Sequence, residues 1–252
     1  MLQTQPTEAE KLLQLATMVL TDTIHRAPAA YLFGQTADNK HSVLERGAEL
    51  LRDNVVSRLL LHDAQGEKNK GYEGIGVWKK HLSEGGVRAS QITGIPCLEL
   101  GHTFSEAKAL AKYAHDQGWG KLIIVAAPFH QLRAFISMVT AIRLLQNTTL
   151  RVYNQVGSTL PWDQKVLHSQ GILMATRQDL IVEELRRIKR YQRQSKLMRL
   201  GADGLMFLKT ALRNGTLLES LRKIPHYAKQ CSSVHLLATD EVLKYLEWRD
   251  GA

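Results

Sequence analysis

The sequence predicts an α/β protein: a Rossmann-like parallel sheet of about five strands with helices on both faces, plus a helical C-terminal extension. Three observations carry that expectation. Leu122–Ala127 is an unbroken apolar run, which suits a strand covered on both faces. Short apolar runs alternate with helically patterned segments from Ala29 to Val156, the order of a sheet wound on both sides. Ser/Thr-x-x-Glu pairs recur ahead of the helical segments, and such pairs form capping boxes.

Thr7 with Glu10 opens a first helix to about Ile24. Ala29–Phe33 reads as a strand closed by Gly34, and Ser42 with Glu45 opens a helix to about Asn54. Arg58–Leu61 is a strand leading into His62 and Asp63. A polar loop over Ala64–Gly71 then precedes a helix from about Tyr72 to Leu82. Pro96–Leu100 reads as the next strand, and Thr103 with Glu106 starts a helix to about Gln117. The Leu122–Ala127 strand stops at Pro128, which cannot donate to a ladder, and a helix bearing His130 runs to roughly Gln146. Leu150–Val156 completes the sheet.

The expected division is residues 1–156 as the α/β domain with its N-terminal helix, and 157–252 as a mostly helical region packing on it. Within the latter, Gly157–Gly171 reads as a loop. Ile181, Leu185, Ile188, Tyr191 and Met198 form one helical stripe, Leu205, Phe207, Leu208 and Leu212 a second, and Thr239–Trp248 a terminal helix.

A chain of 252 residues with 44% hydrophobic content can bury a sizeable core. Cys97 and Cys231 form no CxxC pair, which argues against a disulfide framework or a zinc ribbon and for a reducing compartment. Glu8 and Glu10 replace the basic start of a leader peptide. No run approaches the ~18 apolar residues of a membrane span, so the sequence reads as cytoplasmic. The net charge is +9. Much of it lies between Glu183 and Arg199, where Arg186, Arg187, Lys189, Arg190, Arg193, Lys196 and Arg199 face only Glu183 and Glu184. That stretch is either a solvated helix face or a surface for an anionic partner.

Ligands of open α/β sheets bind at the carboxyl ends of the strands, where the strand order reverses. The residues expected there are Gly34, Gln35 and Thr36; Asp63; Glu99 and Thr103; and Phe129, His130 and Arg133. Arg133 in a helix's first turn opposes the macrodipole and calls for an anion, either a carboxylate side chain or a ligand. It is therefore a bidentate clamp for a carboxylate or phosphate, or one half of an ion pair with Glu99 or Asp63. His130 is a candidate acid/base or a histidine bonded to backbone. Glu99 is a candidate ribose ligand, and Thr103 a helix cap or ligand contact. Asp63 and Glu73 flank the polar loop as ligand contacts or solvated charges. No zinc spacing is present, the GEKNKG stretch lacks the GK[ST] of a P-loop, and Gly74–Gly76 lacks a dinucleotide context.

From Ala29 to Val156 this order resembles the bacterial YdcF–SanA–ElyC family. The stretch APFHQLRAFIS is similar to the family's strand followed by His-x-x-Arg-Ala, matched by His130, Arg133 and Ala134. LELGHTFSEAKALA is similar to its Glu and Thr-x-Glu-Asn-Ala, matched by Glu99, Thr103 and Ala107, with Ser105 and Glu106 departing from the pattern. Tyr72-Glu73 looks like the family's acidic residue after its strand-two loop, and LIVEELRRIKRYQ is similar to the helix that follows the sheet in the cytoplasmic YdcF-type members. The resemblance implies binding of a nucleotide-like anionic small molecule, with S-adenosylmethionine as a candidate, and implies no methyl transfer. Two other readings stand beside it. One is phosphoryl or pyrophosphoryl hydrolysis or transfer using His130 and Arg133. The other is a non-enzymatic nucleic-acid or envelope-surface partner meeting the Arg186–Arg199 helix. Nucleic acid is the weakest partner, since no aromatic residues interleave the basic run.

Overall fold

Five parallel strands form one sheet, and the central three are apolar and buried on both faces. The computed structural model describes residues 5–64, 71–97, 103–147, 149–168, 173–193 and 236–251. The strands are β1 (Ala29–Leu32), β2 (Arg58–His62), β3 (Ile92–Ile95), β4 (Lys121–Ala126) and β5 (Arg151–Val156). Their order is β3-β2-β1-β4-β5 with every pair parallel, so the winding reverses between β1 and β4. This is the Rossmann-like sheet the sequence predicts.

Two apolar cores lie on opposite faces. Helices α2 (Lys40–Arg52) and α3 (Ile75–Glu84) bury Val43, Leu44, Leu50, Trp78 and Leu82 against Leu32, Leu59, Leu61 and Val125. On the other face, α4 (Thr103–Asp116) and α5 (Gln131–Leu144) bury Leu110, Ala114, Phe135 and Met138 against Tyr31, Phe33, Leu122 and Ile124. The same core takes in α1 (Glu8–Leu20) through Leu12, Leu15 and Val19. Thr7 and Glu10 form the expected reciprocal cap on α1, at 3.3 and 2.7 Å.

Several element boundaries differ from expectation, each for a local reason. Helix α2 starts at Lys40 because Asn39 N–H and Lys40 N–H both bond to the Thr36 carbonyl. Ser42 therefore lies inside the helix, and its hydroxyl donates to the Ser158 carbonyl at 2.7 Å rather than forming a box with Glu45. Helix α3 starts at Ile75, after Gly74 with φ 93°, a left-handed conformation that glycine accepts without strain. The third strand is Ile92–Ile95, registered from Leu59↔Ile92 to His62↔Ile95. It stops before Pro96, which brings no N–H to the ladder; residues 98–100 of the expected strand lie outside the described residues.

Among the described residues after Gly157, part of the expected loop is strand. An antiparallel hairpin, β6 (Lys165–His168) and β7 (Leu173–Thr176), occupies part of the expected loop. Helical residues 177–193 (α6) follow. Leu185, Ile188 and Tyr191 of the expected stripe pack on the main core, whereas Ile181 is exposed and Leu180 and Glu184 are buried beside the stripe. Met198 and the Leu205–Leu212 stripe lie outside the described residues.

Helix α7 (Thr239–Asp250) seals the β5 edge. Tyr245 OH donates to the Leu150 carbonyl at 3.0 Å and accepts from Val152 N–H at 2.8 Å. Arg249 donates to the Val152 carbonyl at 2.9 Å, and Asp22 accepts from Asn154 N–H at 2.9 Å. Arg249 and Asp22 are themselves a buried ion pair. The free groups of an edge strand are thus satisfied by side chains, which blunts a template for unwanted pairing. Among the described residues no helix is long and apolar enough to cross a membrane.

Candidate functional site

The reversal between β1 and β4 places the segment after β1 beside the start of α5, at the carboxyl edge. Gln35 Nε2 donates to the Phe33 carbonyl at 3.3 Å and to His130 Nδ1 at 2.8 Å. That leaves the His130 proton on Nε2, which donates to Thr103 Oγ1 at 3.0 Å. Thr103 Oγ1 also accepts from Arg133 Nη1 at 2.6 Å. Four predicted residues, Gln35, Thr103, His130 and Arg133, therefore form one hydrogen-bonded chain. His130 is only 3% exposed. Burial, followed by the nearby Arg133 guanidinium, holds its pKa well below the usual histidine value.

The anion that Arg133 requires is a side chain of α6. Arg133 Nε bonds Glu184 Oε2 and Nη2 donates to Oε1 at 3.2 Å, a bidentate fork. His168 Nε2 lies 2.9 Å from the same carboxylate and Arg187 Nη1 3.6 Å from it. Burial alone would raise the Glu184 carboxyl, but Arg133, His168 and His130 outweigh it and hold it well below the carboxylate range. Among the described residues the Arg133 partner is thus Glu184 and not Asp63; Glu99 lies outside the described residues.

Thr36 docks the hairpin. Its hydroxyl donates to the Leu167 carbonyl at 2.8 Å and accepts from Asn39 Nδ2 at 2.9 Å. Asp38 accepts from Leu167 N–H at 2.8 Å, and buried Arg177 donates to Asn39 Oδ1 and the Asp38 carbonyl, both at 2.8 Å. Beneath these bonds Ala127, Phe129, Val166 and Leu180 form a small apolar cluster. The C-terminal region therefore covers the β4 side of the reversal.

On the β1–β2 side the edge is lined by acceptors. Glu106 does not cap α4, which already includes Thr103. It is 8% exposed, and its Oε2 accepts from Tyr31 OH at 2.8 Å and from Gly34 N–H at 3.0 Å. A Cβ on Gly34 would meet Glu106 Oε1 at 3.4 Å and Tyr72 Cδ2 at 3.6 Å, so Gly34, Glu106 and Tyr72 converge. Tyr72 OH donates to the His62 carbonyl at 3.0 Å. Glu73 is paired with buried Lys40, whereas Asp63 is exposed at the end of β2. A shallow open depression lies at the opposite edge, lined by Arg26, Asn54, Ser57, Arg88 and Gln91 where strands begin. We weight the carboxyl edge above it, because α/β ligands bind where strands end.

Sequence reasoning missed Glu184, His168, Arg177 and the noncapping role of Glu106. Glu184 had a signal: Leu180, Glu184 and Ile188 recur every four residues, so an acid interrupts an apolar helix face and needs a buried cation. Of the basic stretch, Arg186 pairs with Glu183, Arg190 lies over the Tyr191 ring at 5.2 Å, and Lys189 and Arg193 are exposed. Lys196 and Arg199 lie outside the described residues.

Fold and site together define a Rossmann-like α/β protein whose strand reversal is covered on one side by its own hairpin and helix. Compared with family models, curated proteins and solved structures, the chain matches none of them.

Proposed function

We propose that this protein binds a nucleoside-bearing small molecule at the carboxyl edge beside Gly34, as a YdcF-like protein. The supporting observation is the Glu106 carboxylate bonded to Gly34 N–H. In dinucleotide folds the glycine turn after the first strand offers its N–H groups to a phosphate. Here the protein's own carboxylate takes that place. A ligand entering there meets acceptors, namely Glu106 Oε1 and Asp63, which suit hydroxyl and ammonium groups and repel phosphate. S-adenosylmethionine offers a ribose, an ammonium group and a sulfonium, with a carboxylate as its one anionic group and no phosphate; the sequence resemblance supplies it as the candidate. Arg133 bound to Glu184, and His130 bonded at both nitrogens, favour binding over phosphoryl transfer.

Isothermal titration calorimetry with S-adenosylmethionine, adenosine and adenosine monophosphate tests the reading. The first two should bind the full chain and the monophosphate more weakly, with the gap narrowing in Glu106→Gln. Absence of heat with all three compounds would remove the proposal.

A further inference from the structure

We infer that the amino edge of the sheet carries a second ligand site, one for an organic phosphomonoester, independent of the nucleoside reading above. The depression there has a volume of about 480 Å³, which suits a small organic ligand and far exceeds a bare ion. Its walls are the segments leading into three adjacent strands: residues 26–28 before β1, 54–57 before β2, and Arg88 with Gln91 before β3. Internal bonds fix these walls. Ala27 N–H donates to the Val55 carbonyl at 3.1 Å, and Ser57 Oγ donates to the Pro28 carbonyl at 2.9 Å. Asn54 has a left-handed backbone, φ 55°, which asparagine accepts more readily than most residues. The turn it makes lets the Leu50 carbonyl accept from Val55 N–H and Val56 N–H at 2.9 and 3.2 Å. Buried Leu51 and Val56 supply apolar surface at the base.

Two guanidiniums line this space and no Asp or Glu does. Arg26 makes no side-chain hydrogen bond or ion pair among the described residues. Arg88 is held by a neutral group: Gln91 Oε1 accepts from its Nε at 3.2 Å and from its backbone N–H at 3.3 Å. Its Nη1 and Nη2 have no partner among the described residues. Elsewhere Arg133 and Arg249 each lean on a carboxylate. The Arg26–Arg88 pair is therefore oriented yet unneutralised. A phosphomonoester brings two charges and three outer oxygens, enough for both guanidiniums, where a carboxylate brings one charge and two oxygens. The apolar base then takes the carbon body of the ligand. This charge preference is the reverse of that beside Gly34, where Glu106 stands in the place of a phosphate.

The test is an NMR titration of the nitrogen-15-labelled full chain with phenyl phosphate and with inorganic phosphate, at constant ionic strength, in wild type and Arg26→Gln/Arg88→Gln. Phenyl phosphate should bind wild type about tenfold more tightly than inorganic phosphate and shift the amides of residues 54–57 and of Arg88 and Gln91. The double variant should lose about tenfold or more in affinity, with its melting temperature unchanged because both arginines are exposed. Equal affinity for the two phosphates would mean an adventitious ion only and would overturn the inference. So would an absence of binding, shifts confined to other surfaces, or an affinity that survives in the double variant. Adenosine carries no phosphate, so the nucleoside reading stands or falls by its own titration.

Discussion

Replacing His130 by glutamine should flatten the dependence of stability on pH without removing a polar partner from Gln35 and Thr103. The ring is 3% exposed, accepts at Nδ1 and donates at Nε2. A second ring proton would meet the Gln35 amide head-on, close to the Arg133 charge. The folded ring therefore stays neutral while the unfolded ring titrates at about its ordinary 6.5. Above that pH both states carry the same proton count, and below it the unfolded chain binds one more. Stability is then lost as pH falls. The loss reaches at most RT ln(1 + 10^(pKa − pH)), which is about 0.1 kcal/mol at pH 7.5 and about 2 kcal/mol at pH 5. Glu184 stays out of this window, because its carboxyl lies well below its ordinary 4.5 and even its unfolded form is mostly ionised at pH 5. Urea denaturation at pH 7.5, 6.5 and 5 should show wild type losing up to about 2 kcal/mol more than His130→Gln across the series. Parallel losses in the two proteins would refute the reasoning, since His130 would then be titrating as an open, hydrated imidazole.

Two further substitutions probe the same architecture. Arg133→Met leaves the Glu184 carboxylate, 2% exposed, with His168 and Arg187 as its remaining ion-pair partners among the described residues. It should cost about 3–5 kcal/mol in chemical denaturation, with Arg133→Met/Glu184→Gln less damaged than the single variant; a loss under about 1 kcal/mol would show the fork to be dispensable. Gly157→Ala would set a Cβ 2.9 Å from the Ser42 carbonyl oxygen and 3.0 Å from that of Ala126. Neither backbone oxygen can yield easily, so a loss of roughly 1–3 kcal/mol is expected, and an unaltered melting temperature would contradict it.

The sheet was legible because its strands are buried on both faces and read as apolar runs between breakers, as in Leu122–Ala127. Helix starts were legible only where the cap is local. Thr7 and Glu10 sit three residues apart and make their box; Ser42 and Glu45 have the same spacing but yield to a turn begun at Thr36. The hairpin strands, KVLH and LMAT, have four residues each, too few for a period to declare itself. Within the site, the demand of Arg133 for an anion was readable from its position in the helix. The anion itself stands 51 residues away on α6, in a helix whose excess of basic residues drew attention from its one buried acid. The role of Glu106 was hidden by a spacing that also fits a cap.

The covering of the β5 edge has a consequence for synthesis. Val152 and the tyrosine that satisfies its N–H are 93 residues apart. At about 5–20 residues per second, a nascent chain emerging from the ribosome holds an otherwise complete sheet with an open flank for roughly 5–20 s. During that interval the flank is available to chaperones and to neighbouring nascent chains, and translation speed past Val156 sets how long it stays so.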